Sequence, residues 1–445
     1  MSIQIYTANW VLPVDKPPIP NGEVVVEDGI IQEVRPQKSP ESDREELGDA
    51  ILMPGLINAH SHIEYTALRG QIEDIPFFPW IRALMASKTR LDRLDWLWSG
   101  RLAALELIAG GITTIGDNAD AGISAQVAQE CGLRATVYQE LFGIDNSETV
   151  YEIITRLDDK LLTNSRFESD RVRLGISPHA PYTIRPELFK VIAEYLSDTN
   201  LGTSIHVAET DAETDLIQSG SGPFAEMFQK RGIEWSIPGV SPTRYIYDMQ
   251  ALTTSTLAVH CVHQSREDIE LIASTGASIV HCPKSNGKLG AGIAPLAEWL
   301  KTDGLCVALG TDSAVSNNGL DLFEEMRFAL LSQRAATRSV ECVTAKQIVH
   351  MATLGGAQAM GISDHTGSLT PGKKADLIAV RLDSPHSTPA TDPYAAIAYT
   401  SRAADVCLTI CDGVLLYSDG DWTTLNKDSI LAESRKVREK AAKEV

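Results

Sequence analysis

From about residue 51 to 364, short apolar runs alternate with longer stretches of helical pattern, and eight runs qualify as strands: 51–58, 113–116, 135–138, 172–177, 203–205, 256–259, 278–280 and 305–309. Brief apolar runs bounded by turn residues read as buried strands, and eight strand–helix units close a parallel barrel. The two ends of the chain are patterned differently. Segments 3–6, 23–27 and 30–34, with Asp28-Gly29 marking a hairpin between the last two, are short strands, as are 375–380, 406–410 and 413–417. Neither end is large enough to bury a sheet alone, so the two are expected to pair. The pattern predicts an α/β protein in three parts: a (β/α)8 barrel of the TIM type over 51–364, a small β-sandwich from 1–50 and 365–424, and a closing helix over 425–445.

Polar residues fall just past the predicted strands. They are His60 and His62, Asp117, Gln139 and Glu140, His179, His206 with Glu209, His260, His281, and Asp312. Six of the ten histidines lie at such strand ends. The reacting groups of a barrel gather on its C-terminal rim, so the pattern forms a constellation. His60 and His62, two positions apart on an extended strand, face the same side. With His206 and Asp312 they make a ligand set for one divalent ion, Zn2+ first and Fe2+ or Mn2+ next, with a position left for water. Glu209, three residues after His206, is placed to carry a proton between that water and a substrate. His260 holds the water or polarises the bond under attack, and Asp312 is a second candidate to take the water's proton. His179 is expected to touch substrate, and His281 to stand at the rim or behind it. The fourth strand, Val172-Arg173-Leu174-Gly175-Ile176-Ser177, ends without a lysine able to bridge two metals. One metal is therefore expected.

Composition narrows the partners. Against 59 acidic residues stand 39 basic ones, and a formal charge of -20 opposes general affinity for nucleic acid or anionic membrane. No apolar run is long enough to span a bilayer, and Met1-Ser2-Ile3-Gln4-Ile5 lacks the basic start and long apolar stretch of a secretory signal. The cytoplasm is the expected compartment, and a small molecule the expected partner. Seven scattered cysteines fit buried thiols better than disulfides.

The runs Pro54-Gly55-Leu56-Ile57-Asn58-Ala59-His60-Ser61-His62, Ser177-Pro178-His179-Ala180-Pro181-Tyr182, His206-Val207-Ala208-Glu209-Thr210, His281-Cys282-Pro283-Lys284-Ser285-Asn286 and Gly310-Thr311-Asp312-Ser313 together resemble the amidohydrolase superfamily. The branch is similar to cytosine deaminase-related and S-adenosylhomocysteine/methylthioadenosine deaminase-like proteins, which also include triazine chlorohydrolases. The resemblance implies His60, His62, His206 and Asp312 as ligands, Glu209 as proton shuttle, His260 beside the water and His179 against the substrate. It implies a deaminase that adds hydroxide to an amino-bearing C=N carbon of a purine-like or nucleoside-like heterocycle and releases ammonia. Hydrolysis of another C–N or C–Cl bond is the alternative, and a non-enzymatic relative would have lost ligands that this chain keeps. A homo-oligomer is expected by family likeness. Where adenosine-type relatives carry an acidic residue for ribose after the first-loop Trp, this chain has Lys88 and Arg90 following Trp80. Lys88 is then a candidate for an anionic group on the substrate. The insert at Trp235 and Pro238, which resembles deaminases of modified nucleosides such as aminodeoxyfutalosine, is a candidate pocket cover.

Overall fold

The structure, a computed structural model, describes residues 3–38, 44–199 and 201–442. Its strands are β1 (Ile3–Val11), β2 (Ile19–Glu27), β3 (Ile30–Pro36), β4 (Arg44–Glu46) and β5 (Ala50–Pro54), then β6 (Leu56–Ser61), β7 (Ile112–Ala119), β8 (Arg134–Leu141), β9 (Val172–Pro178), β10 (Gly202–Val207), β11 (Thr256–His260), β12 (Ser278–His281) and β13 (Val307–Leu309), and finally β14 (Leu377–Arg381), β15 (Val406–Cys411), β16 (Val414–Ser418) and β17 (Asp421–Trp422).

Strands β6 to β13 form one sheet in chain order, each parallel to the next. Being covered on both faces, they read as unbroken apolar runs rather than alternating ones. The sheet closes where Thr311 and Asp312 both donate their backbone N–H to the His60 carbonyl at 3.0 Å. Asn58 clasps the same seam: its Nδ2 donates to Thr311 Oγ1 at 2.7 Å and its Oδ1 accepts from Thr311 N at 3.0 Å. First and last barrel strands are thus tied beside the residues expected to hold a metal.

The remaining strands share one mixed sheet in the order β17-β16-β15-β14-β5-β1-β2-β3, with β4 added to β1. The two chain ends meet as expected, although the second domain is a single nine-stranded sheet rather than two separate ones. An Ile30–Lys374 bridge brings the β2–β3 hairpin back toward β14, and Val24, Val26, Ile31, Leu52, Leu377 and Leu408 are buried together inside the curl.

The run 51–58 spans two strands, not one. Its first part pairs with β1 and β14, and its second opens the barrel. The break falls at Gly55, where a Cβ would lie 2.1 Å from Thr113 Oγ1, so only glycine lets the chain cross between the sheets. The closing helix, Lys427–Ala442 among the described residues, packs on the helix Arg93–Ala109. The Ala441 carbonyl there accepts from Arg90 at 2.7 Å and Gln71 at 3.1 Å. Arg90 is therefore engaged in fastening the C-terminal helix. All seven cysteines are free thiols. No helix among the described residues is long and apolar enough to cross a membrane.

Candidate metal centre and cavity

At the C-terminal ends of the barrel strands the backbone leaves extended geometry abruptly. Ala208, His260, Cys261 and Asp312 all have positive φ, between +51° and +70°. Non-glycine residues hold such conformations only where the surroundings enforce them, and two of the four, His260 and Asp312, line the cavity described below. Gly310 has a related role, since a Cβ there would lie 2.9 Å from both the Cβ and the carbonyl oxygen of His60.

The first consequence is a cluster of imidazoles. Ligand nitrogens of His60, His62 and His206 lie within 4.8 Å of one another, and all three residues are buried. His62 Nε2 and His206 Nε2 are 3.4 Å apart. Hydrogen bonding assigns the tautomer of His206: its Nδ1 donates to the His179 carbonyl at 2.8 Å, which leaves the Nε2 lone pair facing the cluster. Both ring nitrogens of His60, and Nδ1 of His62, are buried without a protein partner. Burial lowers the pKa of all three, that of His62 to about 3, so the imidazoles are neutral at physiological pH. Neutral rings with converging lone pairs are donors that a divalent cation satisfies, so these residues fit the ion that the ligand set implies.

Asp312 completes the set. Its Oδ1 lies 3.6 Å from His62 Nε2 and 3.7 Å from His60 Nε2. Its Oδ2 accepts hydroxyls from Ser285 at 2.5 Å and Ser316 at 2.7 Å, while Ser313 N donates to Oδ1 at 2.7 Å. With Oδ2 occupied, Oδ1 is the oxygen left for both ligation and proton transfer.

Glu209 and His260 stand opposite. His260 Nδ1 donates to Asn286 Oδ1 at 2.8 Å, leaving Nε2 to face Glu209 Oε1 at 3.7 Å. Burial raises the Glu209 pKa, with His260 opposing. Behind it lies Glu213, fully buried, whose two oxygens each accept a backbone N–H, from Ala208 and from Glu209, at 2.9 Å. That clamp sets the turn carrying Glu209. Sequence reasoning missed Glu213, although its place four residues after Glu209, in the first turn of the helix Asp211–Ser219, was a usable signal.

A cavity of about 920 Å³ opens above these groups, near the upper end of the ~300–1,000 Å³ range of small-molecule pockets. His62, His206, Glu209, His260 and Asp312 line it at one end. Aromatic walls come from Phe77, Phe78 and Trp80 of the helix Phe77–Lys88, from Tyr182, and from Phe224 and Phe228 of the helix Gly222–Arg231, with Phe78 and Phe224 rings 4.7 Å apart.

The expected substrate contacts divide. His179 and Lys88 line the cavity. Lys88 Nζ is held by Tyr65 Oη at 2.7 Å and Asp120 Oδ2 at 2.8 Å, within a carboxyl-rich neighbourhood that includes Glu64 and Glu140. Its surroundings are acidic, unlike those of a lysine reserved for an anion. Trp235 lies off the cavity: its Nε1 donates to the Leu216 carbonyl at 3.3 Å and its ring meets Phe228 and Tyr245. His281 is buried against Trp299, with ring centroids 5.4 Å apart, below the rim. In the run His281–Asn286, the side chains reaching the site are Ser285 and Asn286.

The Amidohydrolase family model matches residues 51–416. The chain is 33% identical to a 5-methylthioadenosine/S-adenosylhomocysteine deaminase of Moorella thermoacetica, covering 96% of each chain, and 34% identical to the protein so described in Symbiobacterium thermophilum, covering 95% of this chain and 94% of that one. Among solved structures, it superimposes on an adenosine deaminase from Xanthomonas campestris with bound zinc, at TM-score 0.87 and 25% identity over 98% of both chains. An atrazine chlorohydrolase from Arthrobacter aurescens shares the fold at TM-score 0.85 and 21% identity, over 98% of this chain and all of that one.

Proposed function

The chain belongs to the amidohydrolase family, and on that premise we propose that it is a zinc-dependent aminohydrolase acting on 6-aminopurine nucleosides, in the manner of its methylthioadenosine and S-adenosylhomocysteine deaminase relatives. The carrying observation is the convergence of three neutral imidazoles and Asp312 Oδ1 at one end of the cavity, with Glu209 opposite. His60, His62, His206 and Asp312 would hold the ion. When bound, such an ion lowers the pKa of a coordinated water toward ~7 and so provides hydroxide near neutral pH.

The chain's own groups supply the rest. Glu209 takes the proton of the attacking water and delivers it to the ring nitrogen beside the amino-bearing carbon, for which its raised pKa is suited. His260, locked by Asn286, directs Nε2 at the same place and orients the water. Asp312 Oδ1 takes the second proton and passes it to the leaving amine. In balance, water adds across the C=N bond, the C–NH2 bond breaks, and ammonia leaves with the oxo-purine as product. The aromatic walls hold the heterocycle and its 5′ substituent and keep bulk water out.

The test is ammonia release from 5′-methylthioadenosine, S-adenosylhomocysteine and adenosine by zinc-loaded protein, with products identified by mass. The oxo-purine nucleoside is expected. Turnover of a chlorotriazine with none of the nucleosides would overturn the assignment.

A further inference from the structure

The rings of the cavity form a line that leads away from the expected metal ligands. From His206, ring centroids step to His179 at 4.7 Å, Tyr182 at 6.3 Å, Phe224 at 4.2 Å and Phe78 at 4.7 Å. All five side chains line the cavity. Tyr182 and Phe224 are buried and Phe78 is partly so. The last contact joins two separate insertions, because Phe78 comes from the helix after the first barrel strand and Phe224 from a helix after the fifth.

Elementary chemistry says which part of a nucleoside reaches that end. In a 6-aminopurine nucleoside the reacting carbon and the glycosidic nitrogen stand at opposite ends of the purine, and the 5′ carbon lies beyond the sugar. With C6 at the histidine cluster, the 5′ substituent is the part that extends toward Tyr182, Phe224 and Phe78. An apolar substituent gains there roughly fourfold in affinity for each methylene taken out of water. A flat one gains further by packing ring against ring.

A charged substituent meets the opposite balance. The one polar atom that these three side chains offer is the Tyr182 hydroxyl, which burial keeps protonated. The charged residues on the same two helices that border the cavity beyond Lys88 are exposed: Lys230 and Glu226 face each other at 3.7 Å, Arg231 donates to Asp145 at 2.9 Å, and Arg82 stands in solvent. Ion pairs at such positions contribute little, whereas taking an ammonium and a carboxylate out of water without buried partners is costly.

Resting on the nucleoside reading above, we propose that Phe78, Tyr182 and Phe224 form a specificity subsite for an apolar 5′ substituent, so that the enzyme prefers adenine nucleosides carrying an alkyl or aryl thioether to S-adenosylhomocysteine, whose tail ends in an ammonium and a carboxylate. Of the two substrates that name its relatives, this chain is built for the uncharged one, and for longer and flatter versions of it.

The test compares kcat/KM of the zinc-loaded protein for 5′-methylthioadenosine, 5′-propylthioadenosine, 5′-benzylthioadenosine and S-adenosylhomocysteine. The propylthio compound has the same S–CH2–CH2–C chain as S-adenosylhomocysteine and differs only by the two charged groups on the last carbon, so their ratio isolates charge. The propylthio compound should exceed the methylthio one by roughly 10-fold, the worth of two buried methylenes, and S-adenosylhomocysteine should fall below the propylthio compound by about tenfold or more. In Phe78→Ala, and in Phe224→Leu, which keeps an apolar side chain in the buried position, the benzylthio-to-methylthio ratio should drop by roughly threefold or more. S-Adenosylhomocysteine turned over as well as the propylthio compound overturns the proposal, and loss of that turnover in Arg82→Ala would overturn it in favour of a carboxylate site at Arg82. Equal rates on the methylthio and propylthio compounds overturn it as well, as do ratios unchanged in both variants. Absence of turnover on every adenine nucleoside removes the underlying nucleoside reading, a result distinct from nucleosides turned over without this order of preference.

Discussion

Glu209 and His206 are three residues apart on one strand end, yet their substitution should separate two functions. Glu209 faces His260 and the cavity without belonging to the imidazole cluster, so Glu209→Gln should keep the metal and lose about 10²–10⁴-fold in kcat, the usual contribution of a positioned acid–base group. His206→Ala removes one of the converging nitrogens and should lose both metal and turnover. Metal content of the purified variants, measured beside ammonia release, distinguishes the two patterns. At this scale the sequence was most informative where a residue type has few other uses: histidines at successive strand ends, and Asp312 after Gly-Thr. It was least informative for carboxylates, since Glu213 acquires meaning only from its burial. Glu213 is read from two backbone N–H groups that no sequence spacing displays. Trp235 is the opposite case, a conspicuous residue whose ring meets Phe228 and Tyr245 away from the cavity that holds the histidine cluster.

Among the elements, all eight barrel strands were legible from their apolar runs, and their bounds shifted for definite reasons. The run 51–58 hides its break because both halves are fully buried and so share the same apolar character. The strand pairing reveals the crossing, and the close approach of Thr113 to Gly55 explains where it falls. The last barrel strand is only Val307–Leu309, because pairing beyond it passes to the His60 carbonyl and the Asn58 side chain. That seam depends on Gly310. Gly310→Ala would place a Cβ 2.9 Å from the His60 carbonyl oxygen and 3.0 Å from its nitrogen, both parts of a backbone that cannot move without shifting a ligand. Overpacking of this kind costs about 1–3 kcal/mol. The expected outcome is a lower denaturation midpoint together with weaker zinc retention in a chelator titration, and unchanged retention would contradict the link between seam and site.

For the molecule as a whole, one buried ion pair joins barrel and sheet. Arg134, in β8, donates through Nε and a terminal nitrogen to both oxygens of Asp376 at 2.9 and 3.2 Å, and Asp412 N adds a third bond at 2.6 Å. Removing one partner of such a pair strands the other charge, at a cost of about 3–5 kcal/mol. Asp376→Ala should therefore lower the urea midpoint of the whole protein in a single transition. A barrel that unfolds unchanged while only the terminal sheet melts would show the two parts to be independent. The seam between β6 and β13 has a consequence for the order of synthesis. A chain growing from its N-terminus exposes His60 and His62 first and Asp312 only after all eight barrel strands have been made, while β5 waits longer still for β14. The centre is in this sense a closing clasp: a nascent or interrupted chain carries histidines but no completed grip on the ion, and the metal-holding site comes into being only with the finished barrel.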